Sequence, residues 1–138
     1  MQFQITTDYA IRIMGYLYQN NNQLSTAADM SAQLGITYQY FMKVINRLKH
    51  AGLVSSVQGC NGGYQVSDLS GDVTLYDIIS IMEGEIIINK CLEQEGFCSR
   101  KATATCPVHK FFYSVQEEII DLFKQKRISE IWGEKQNN

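Results

Sequence analysis

The chain opens with an apolar stripe at the spacing of an amphipathic helix, formed by Ala10, Ile13, Met14 and Leu17. We expect Thr6 or Thr7 to cap this helix, because a threonine hydroxyl can accept a hydrogen bond from a free amide of the first turn. The stripe predicts a helix that runs to about Tyr18. The polar run over residues 19–23 then predicts a connecting loop.

Two more helices are predicted within a short distance of each other. Thr26, followed three residues later by Asp29, has the layout of a capping box, and Gly35 suits the left-handed end of a helix. The next helix begins directly after Thr37 and ends near Gly52. Its predicted buried stripe consists of Phe41, Val44, Ile45 and Leu48. Two short helices joined by such a turn form a helix-turn-helix, whose second helix can enter the major groove of DNA.

A β-hairpin is predicted directly after these helices. Apolar alternation over residues 53–57 and 64–66 surrounds the Gly- and Asn-rich turn of residues 58–63. A helix-turn-helix followed by a hairpin is a winged helix, and glycines allow the wing to approach DNA closely. We therefore predict a mainly α fold: a winged helix-turn-helix DNA-binding domain with a β-hairpin wing.

The second half of the chain predicts a short helix, a loop and a long helix. Thr74 and Asp77 mark the start of the short helix, and residues 85–105 show no sustained period, which is typical of a functional loop. Pro107 suits the first position of the long helix. The apolar stripe of that helix consists of Phe111, Phe112, Val115, Ile119, Leu122 and Phe123. Such a stripe serves either the core or a dimer interface.

These patterns divide the chain into three parts. We predict a winged-helix DNA-binding domain over residues 1–84, a cysteine-bearing loop over residues 85–106, and a dimerisation helix with a C-terminal tail over residues 107–138. The 138 residues, 45% hydrophobic and 19% charged, suffice for a folded core and exclude a large multidomain enzyme. With no apolar run long enough for a bilayer and no signal-peptide pattern at the start, we expect a soluble, cytoplasmic protein.

The net charge of −2 hides an uneven distribution. Residues 1–60 hold four Lys or Arg against two Asp, whereas residues 61–138 hold eight against twelve acidic residues. No acidic residue lies between Asp29 and Asp68. If the protein binds phosphate groups, this interval is where we expect them to bind.

The polar face of the predicted recognition helix lacks carboxylates and carries Gln39, Lys43, Asn46, Arg47 and His50. Such side chains donate to phosphates and base edges. A solvated helix face is the alternative for an isolated helix, but the helix-turn-helix context favours DNA. The predicted DNA-binding residues lie at the start and polar face of this helix and in the wing turn: Thr37, Tyr38, Gln39, Tyr40, Lys43, Arg47, Gln58, Asn61 and Gly62.

Three cysteines in the loop region are candidate metal ligands. Six residues separate Cys91 from Cys98, seven separate Cys98 from Cys106, and His109 follows in the first turn of the final helix. Soft thiolates beside an imidazole suit zinc or an iron-sulfur cluster, and the wide spacing is less typical of structural zinc. Cysteines can also serve as small buried hydrophobes, but the polar residues around these three favour ligands. We interpret Cys60, in the wing, as a spare thiol.

The sequence gives little support to a thiol redox enzyme or an electron carrier. It contains no Cys-x-x-Cys pair, no nucleotide-binding glycine motif and no Ser/His/Asp constellation. We therefore predict that the protein is not an enzyme.

Four segments together resemble one known family. They are Thr7-Asp8-Tyr9-Ala10, residues 41–48 leading into Ala51-Gly52-Leu53-Val54, the wing residues 59–64, and the three cysteines. In this order they resemble the Rrf2 family of bacterial winged-helix transcription regulators, which includes IscR and NsrR. The resemblance implies a homodimer crossed through its long helices, a palindromic operator, and one iron-sulfur cluster per subunit near the dimer interface. Changes in that cluster would alter which promoters are bound.

The resemblance also implies a ligand set. Cys91, Cys98 and Cys106 match the cluster cysteines, and Cys106-Pro107-Val108-His109 is similar to the Cys-x-x-His of IscR, where His completes a [2Fe-2S] site. Asp8 instead resembles an NsrR residue that reaches from the partner subunit to a [4Fe-4S] cluster. We favour His109 and [2Fe-2S], because the position of His109 follows from local helix spacing, whereas Asp8 could simply support the first turn of its own helix.

The sequence thus predicts a DNA-binding regulator, expected to be a repressor, that senses nitric oxide, redox state or iron-sulfur status through its cluster. One alternative keeps the DNA-binding dimer and replaces the cluster with a structural zinc or a cysteine thiol switch. A thiol redox or electron-transfer protein is the less favoured alternative.

Overall fold

The fold is mainly helical, with one antiparallel β-hairpin. The computed structural model describes residues 1–67 and 73–132. In that part of the chain the helices and strands are α1 (Ile5–Gln19), α2 (Ala27–Leu34), α3 (Tyr38–His50), β1 (Val54–Val57), β2 (Gly63–Val66), α4 (Leu75–Glu83), α5 (Pro107–Gln125) and α6 (Ile128–Trp132). A short 3-10 turn covers Lys90–Leu92. None of the helices in these ranges combines the length and the apolar character needed to cross a membrane.

The hydrophobic core lies where α1, α3 and α4 meet. The predicted stripes of α1 and α3 are confirmed: their apolar residues at the three-and-four spacing are almost completely buried. In α4, Ile78, Ile79 and Met82 are buried, while Leu75 is only partly buried. The predicted winged-helix fold class is confirmed as well, because α2, α3 and the hairpin follow one another in the expected order.

The start of α1 differs from the sequence prediction. The N-cap residue is Gln4, and Thr6 and Thr7 lie inside the helix, where both are buried. Glu83, at the end of α4, replaces the predicted cap: its Oε2 accepts from the Gln4 amide at 2.7 Å and from the Thr7 hydroxyl. A carboxylate near the first turn satisfies a free amide and favours the positive end of the helix dipole.

The predicted caps of α2 and α4 are in place. Thr26 accepts from the Asp29 amide at the start of α2, which is one half of the predicted capping box. Thr37, which was not predicted as a cap, accepts from the Tyr40 amide at the start of α3. Gly35 ends α2 with a φ of 68°, the left-handed conformation that glycine adopts readily. Thr74 and Asp77 form a complete capping box at the start of α4. The turn between α2 and α3 is therefore closely defined by local interactions.

The hairpin is anchored to the helices through β2. Val54 pairs with Val66 and Val57 pairs with Gly63 in an antiparallel register. On its other side, Tyr64 exchanges two backbone hydrogen bonds with Ser25, just before α2. A Cβ atom at position 63 would lie 2.7 Å from the Ser25 carbonyl oxygen, so this close approach requires glycine. The wing therefore has a fixed base beside the helix-turn-helix.

A short sixth helix, which the sequence pattern did not predict, returns the chain to α1. The Ile128 amide donates to the Val73 carbonyl, and the Ile128 side chain is fully buried. The Gln19 side chain donates to the Trp132 carbonyl at 3.2 Å. The helical segment after α5 thus belongs to the packing around α1. The end of the predicted tail, residues 133–138, lies outside the described residues.

We predict that Gly15→Ala destabilises the fold, although replacing glycine by alanine within a helix normally increases stability. A Cβ atom there would lie 2.3 Å from the Trp132 ring, so the ring must move. We expect a loss of about 1–3 kcal/mol in the free energy of unfolding, measured by urea denaturation. In the Trp132→Ala background the same substitution should cost nothing or stabilise the protein. An equal cost in both backgrounds would contradict the packing described here.

Candidate DNA-binding and metal-binding sites

The polar face of α3 is open to solvent along its length. Gln39, Lys43, Asn46, Arg47 and His50 are all exposed, opposite the buried stripe. The N-terminal end of the helix is also exposed, with Tyr38 at 57% and Tyr40 at 45% of their maximal accessible area. The structure therefore presents the predicted recognition residues on one accessible face that starts at Thr37.

Tyr40 is held in place by residues of α1. Its ring meets the Tyr9 ring edge to face, with centroids 6.0 Å apart. The Arg12 guanidinium lies 5.3 Å from the centroid of the Tyr9 ring and donates to the Leu34 carbonyl at the end of α2. These contacts tie α1 to both helices of the helix-turn-helix.

Arg47 makes a contact that the sequence did not indicate. Its Nη2 donates to the Ile81 carbonyl oxygen of α4 at 2.7 Å, although the side chain is exposed. One part of the guanidinium therefore joins α3 to α4, and the remaining N–H groups stay available for other acceptors.

The turn of the wing lies between β1 and β2, within the predicted residues 58–63, and most of it is exposed to solvent. Gln58 and Asn61 are exposed, and Gly62 is half-buried. A Cβ at position 62 would clash with the Val57 carbonyl oxygen, so this position requires glycine. Gly59 has a φ of 110°, which side-chain-bearing residues rarely adopt. Cys60 is an exposed free thiol within this turn.

The three loop cysteines and His109 line one cavity of about 330 Å³. Cys91 reaches it from the 3-10 turn, Cys98 from the loop, and Cys106 and His109 from the start of α5. Cys106 is the N-cap residue and Pro107 the first helical residue, so the local geometry expected from the sequence is present. All three cysteines are free thiols with intermediate exposure.

Direct contacts within this cavity concentrate on Cys91. The His109 Nδ1 lies 3.1 Å from the Cys91 Sγ, and the Asn89 side-chain amide donates to the same sulfur at 3.2 Å. At the rim, the Lys90 ammonium lies 5.1 Å from the centroid of the Phe97 ring. Cys91 is therefore oriented by partners from both the loop and α5.

Cys98 is electrostatically biased towards the thiolate. Hydrogen bonds from the backbone of Ala102 and then Arg100 lower the pKa of the Cys98 thiol below its ordinary value. Thiolates are the form that binds soft metals. In the described ranges, no three Cys, His, Asp or Glu side chains come close enough together to hold a single metal ion.

Asp8, the alternative fourth ligand, has a partner elsewhere. Its carboxylate lies 2.6 Å from the Arg12 Nη2, one turn further along α1. The residues that line the cysteine cavity come from positions 89–109, so within the described part of one chain Asp8 is separate from the thiols.

One side of α5 is apolar and uncovered. Its inner face packs on α4 and on the N-terminal segment, where Phe3 and Phe123 bring their rings within 5.9 Å. Its outer face exposes Phe111 at 63% and Leu122 at 66%, together with Val108. Exposed large apolar side chains along one helix form a surface suited to another protein surface.

Sequence reasoning missed four residues at these sites: Tyr9, Arg12, Asn89 and Gln116. Tyr9 was noted only as part of a motif, while the buried Gln116 accepts from the Ile88 amide at 2.8 Å. Each of these residues orients a neighbouring side chain or segment through a contact that the sequence pattern does not show. Periodicity could have indicated only Gln116, since it is a polar residue on the inner face of an amphipathic helix.

A family model for Rrf2, iron-dependent transcriptional regulator, matches residues 3–134. The chain belongs to the Rrf2 family. It is 27% identical to the protein aau3 of Rhizobium meliloti over 128 residues, covering 88% of this chain and 83% of that protein. It is 26% identical to the HTH-type transcriptional regulator IscR of Photobacterium profundum over 104 residues, covering 75% of this chain and 59% of IscR.

Solved structures show the same Rrf2 fold. CymR, the global cysteine regulator of B. subtilis, superimposes with a TM-score of 0.80 at 19% identity, and the match covers 99% of both chains. With its Rrf2 membership, the chain is a transcriptional regulator with a winged-helix DNA-binding domain and not an enzyme. The predicted family resemblance and the predicted absence of enzyme activity are thus confirmed.

We predict that Arg47 contributes to stability and that Lys43 does not. Arg47→Ala removes the hydrogen bond to Ile81 and should lower the free energy of unfolding by about 0.5–1.5 kcal/mol. Lys43→Ala removes another exposed cation of the same helix and should leave the free energy of unfolding unchanged. Urea denaturation of both variants measures the difference, and equal stabilities would show that the Arg47 contact has no energetic role.

Proposed function

We propose that this Rrf2 regulator binds a palindromic operator as a homodimer and that an iron-sulfur cluster in the cysteine cavity controls this binding. The observation that carries the proposal is the convergence of Cys91, Cys98, Cys106 and His109 on one cavity at the start of α5. That helix also bears the uncovered apolar face. One element therefore connects the candidate ligands with the candidate dimer interface.

The DNA-binding part of the proposal rests on the exposed face of α3. Residues at the N-terminal end of a recognition helix contact base edges in related motifs, and here Tyr38 and Gln39 occupy that end. Lys43 lies one turn further along, free of carboxylates, and can donate to a base or a phosphate. The wing residues Gln58 and Asn61 are exposed for contacts beside the groove.

The homodimer is supported by the outer face of α5. Val108, Phe111 and Leu122 lie within about 60° of one another around the helix, and all three are exposed. Burying this stripe against a second copy would remove large apolar side chains from water. Two-fold symmetry would then place two recognition helices on the two half-sites of a palindrome.

The residues of the cavity fit an iron-sulfur cluster. Three thiols and one imidazole form a sulfur-rich donor set, the lowered pKa of Cys98 favours the thiolate, and the Asn89 amide can donate to a ligating sulfur. Cys91, Cys98, Cys106 and His109 would hold the cluster from the wall of this cavity. When bound, such a cluster would supply chemistry that responds to nitric oxide, redox state or iron-sulfur status.

The chain's own residues provide a route from this cavity to the DNA. Cys106 and His109 begin α5, so any change in how the cavity is filled acts on the start of the proposed dimer helix. α5 packs on α4, and α4 is joined to α3 through Arg47. Half-sites are separated by about 34 Å or multiples of it, so a small change in α5 can misalign several base contacts together.

We predict that Lys43→Ala weakens operator binding by about 1–3 kcal/mol if Lys43 contacts a base. Lys49→Ala is the matched control, because Lys49 is an exposed lysine of the same helix that lies about 120° away around its axis. Binding is measured by fluorescence anisotropy with operator and with unrelated DNA. Equal losses for the two variants would contradict the assigned recognition face.

We predict about two iron and two acid-labile sulfide per subunit, with a red [2Fe-2S] spectrum, after purification without oxygen. Cys98→Ala should lose the cluster and change promoter binding together, and His109→Ala should change the spectrum while Asp8→Ala does not. About four iron and four sulfide per subunit, together with a spectrum that changes in Asp8→Ala, would assign the fourth ligand to Asp8 of the partner subunit instead of His109. A protein that stays colourless after reconstitution with iron and sulfide would exclude the cluster and leave a zinc site or a thiol switch.

A further inference from the structure

Gln116 is an unusual residue within α5. It is the one residue of this helix that is buried, at 8% of its maximal exposure, although its side chain is polar and apolar residues surround it on the inner face. A buried amide is costly unless it is hydrogen-bonded. Its Oε1 accepts from the backbone amide of Ile88 at 2.8 Å, in the linker between α4 and the cysteines.

The linker at this point has little structure of its own. Residues 84–89 form neither helix nor strand, and Gly84 begins the segment with a φ of 86°. Within the described residues, no other hydrogen bond joins residues 85–88 to α5. Ile86 and Ile88 also line a cavity with Ile119 and Phe123 of α5. Because apolar contacts are non-directional, the hydrogen bond between Ile88 and Gln116 is the contact that defines the register of this segment on the helix.

The same linker leads directly to Cys91. Three residues after Ile88, the Cys91 Sγ lies 3.1 Å from the His109 Nδ1, and the Asn89 amide donates to that sulfur. His109 and Gln116 are seven residues apart on α5, so they lie about 20° apart around the helix and two turns apart along it. The linker is thus attached to one face of α5 at two points, Gln116 and His109.

We propose that Gln116 is a positioning residue that sets the register of the linker on α5 and thereby holds Cys91 against His109. Its effect on ligand geometry rests on the proposed function, whereas its hydrogen bond to Ile88 does not. Residues outside the ligand set that orient ligands typically change metal affinity by 10–100-fold when they are removed. Gln116 would have that role through the backbone of the linker.

The test compares Gln116→Met, which keeps the side-chain length without the acceptor, with Gln125→Met on the exposed side of the same helix. Hydrogen exchange of the Ile88 amide, followed by NMR, should be slow in the wild type and in Gln125→Met and at least about tenfold faster in Gln116→Met. The nuclear Overhauser contact between the His109 ring and Cys91 should weaken in the same variant. Gln116→Glu, which keeps an acceptor oxygen, should retain both signals.

Titration with Co²⁺ measures the consequence for the pair of Cys91 and His109, which lie close enough to bind one ion together with water ligands. Binding is followed through thiolate-to-cobalt absorption. We expect Gln116→Met to bind Co²⁺ about tenfold more weakly than Gln125→Met does. A change in thermal stability with unchanged Co²⁺ affinity and an unchanged contact between His109 and Cys91 would overturn the proposal. So would rapid exchange of the Ile88 amide in the wild type, a result that remains decisive if Gln116→Met does not fold.

The two proposals fail in different ways. If the wild type takes up neither Co²⁺ nor an iron-sulfur cluster, the proposed function fails, and the NMR comparison of Gln116→Met with Gln125→Met still decides the role of Gln116. If the wild type binds Co²⁺ and Gln116→Met binds it equally well, the positioning role is overturned, and the iron and sulfide content decides the proposed function separately.

Discussion

The burial of α1 is the constraint on which the rest of the structure depends. Its inner face is fully buried, and α2, α3, α4, β2 and α6 all pack around it. A helix enclosed in this way cannot rotate without exposing apolar side chains, at roughly 1.5–3 kcal/mol for each large one. The orientation of the recognition helix α3 and the starting point of α4 are therefore both set by α1. Because the Trp132 ring packs directly against Gly15, α1 also fixes the position of α6.

Beyond this core the construction changes. The winged helix buries its apolar side chains within one chain, whereas α5 leaves Phe111 and Leu122 in solvent and buries only Gln116. The loop between α4 and α5 contains no residue that is fully buried, and single hydrogen bonds of Asn89 and Gln116 orient it. Segments held by a few polar contacts open at low free-energy cost. The chain thus combines a densely packed winged helix with a loop region that is held by fewer buried contacts.

The sequence predicted those features that depend on local pattern. The stripes of α1 and α3, the caps at Thr26 and Thr74 and the hairpin follow from periodicity and turn chemistry, which act over a few residues. The contacts of Glu83 with α1 and of Arg47 with α4 join residues far apart in sequence, and no periodic signal marks them. α6 was missed because it spans only five residues and depends on packing against α1. At the site, spacing indicated the candidate ligands, but not the residues that contact them.

The two candidate fourth ligands differ in how directly they would reach the DNA. His109 belongs to α5, so its effect on α3 would pass through α4. Asp8 belongs to α1 and pairs with Arg12, which also holds the end of α2 and lies over Tyr9, the ring that contacts Tyr40. An exposed ion pair contributes only about 0–1 kcal/mol, so binding of the Asp8 carboxylate to a cluster could replace its contact with Arg12. Ligation by Asp8 would therefore act on the start of the recognition helix itself, whereas ligation by His109 would act through the dimer helix.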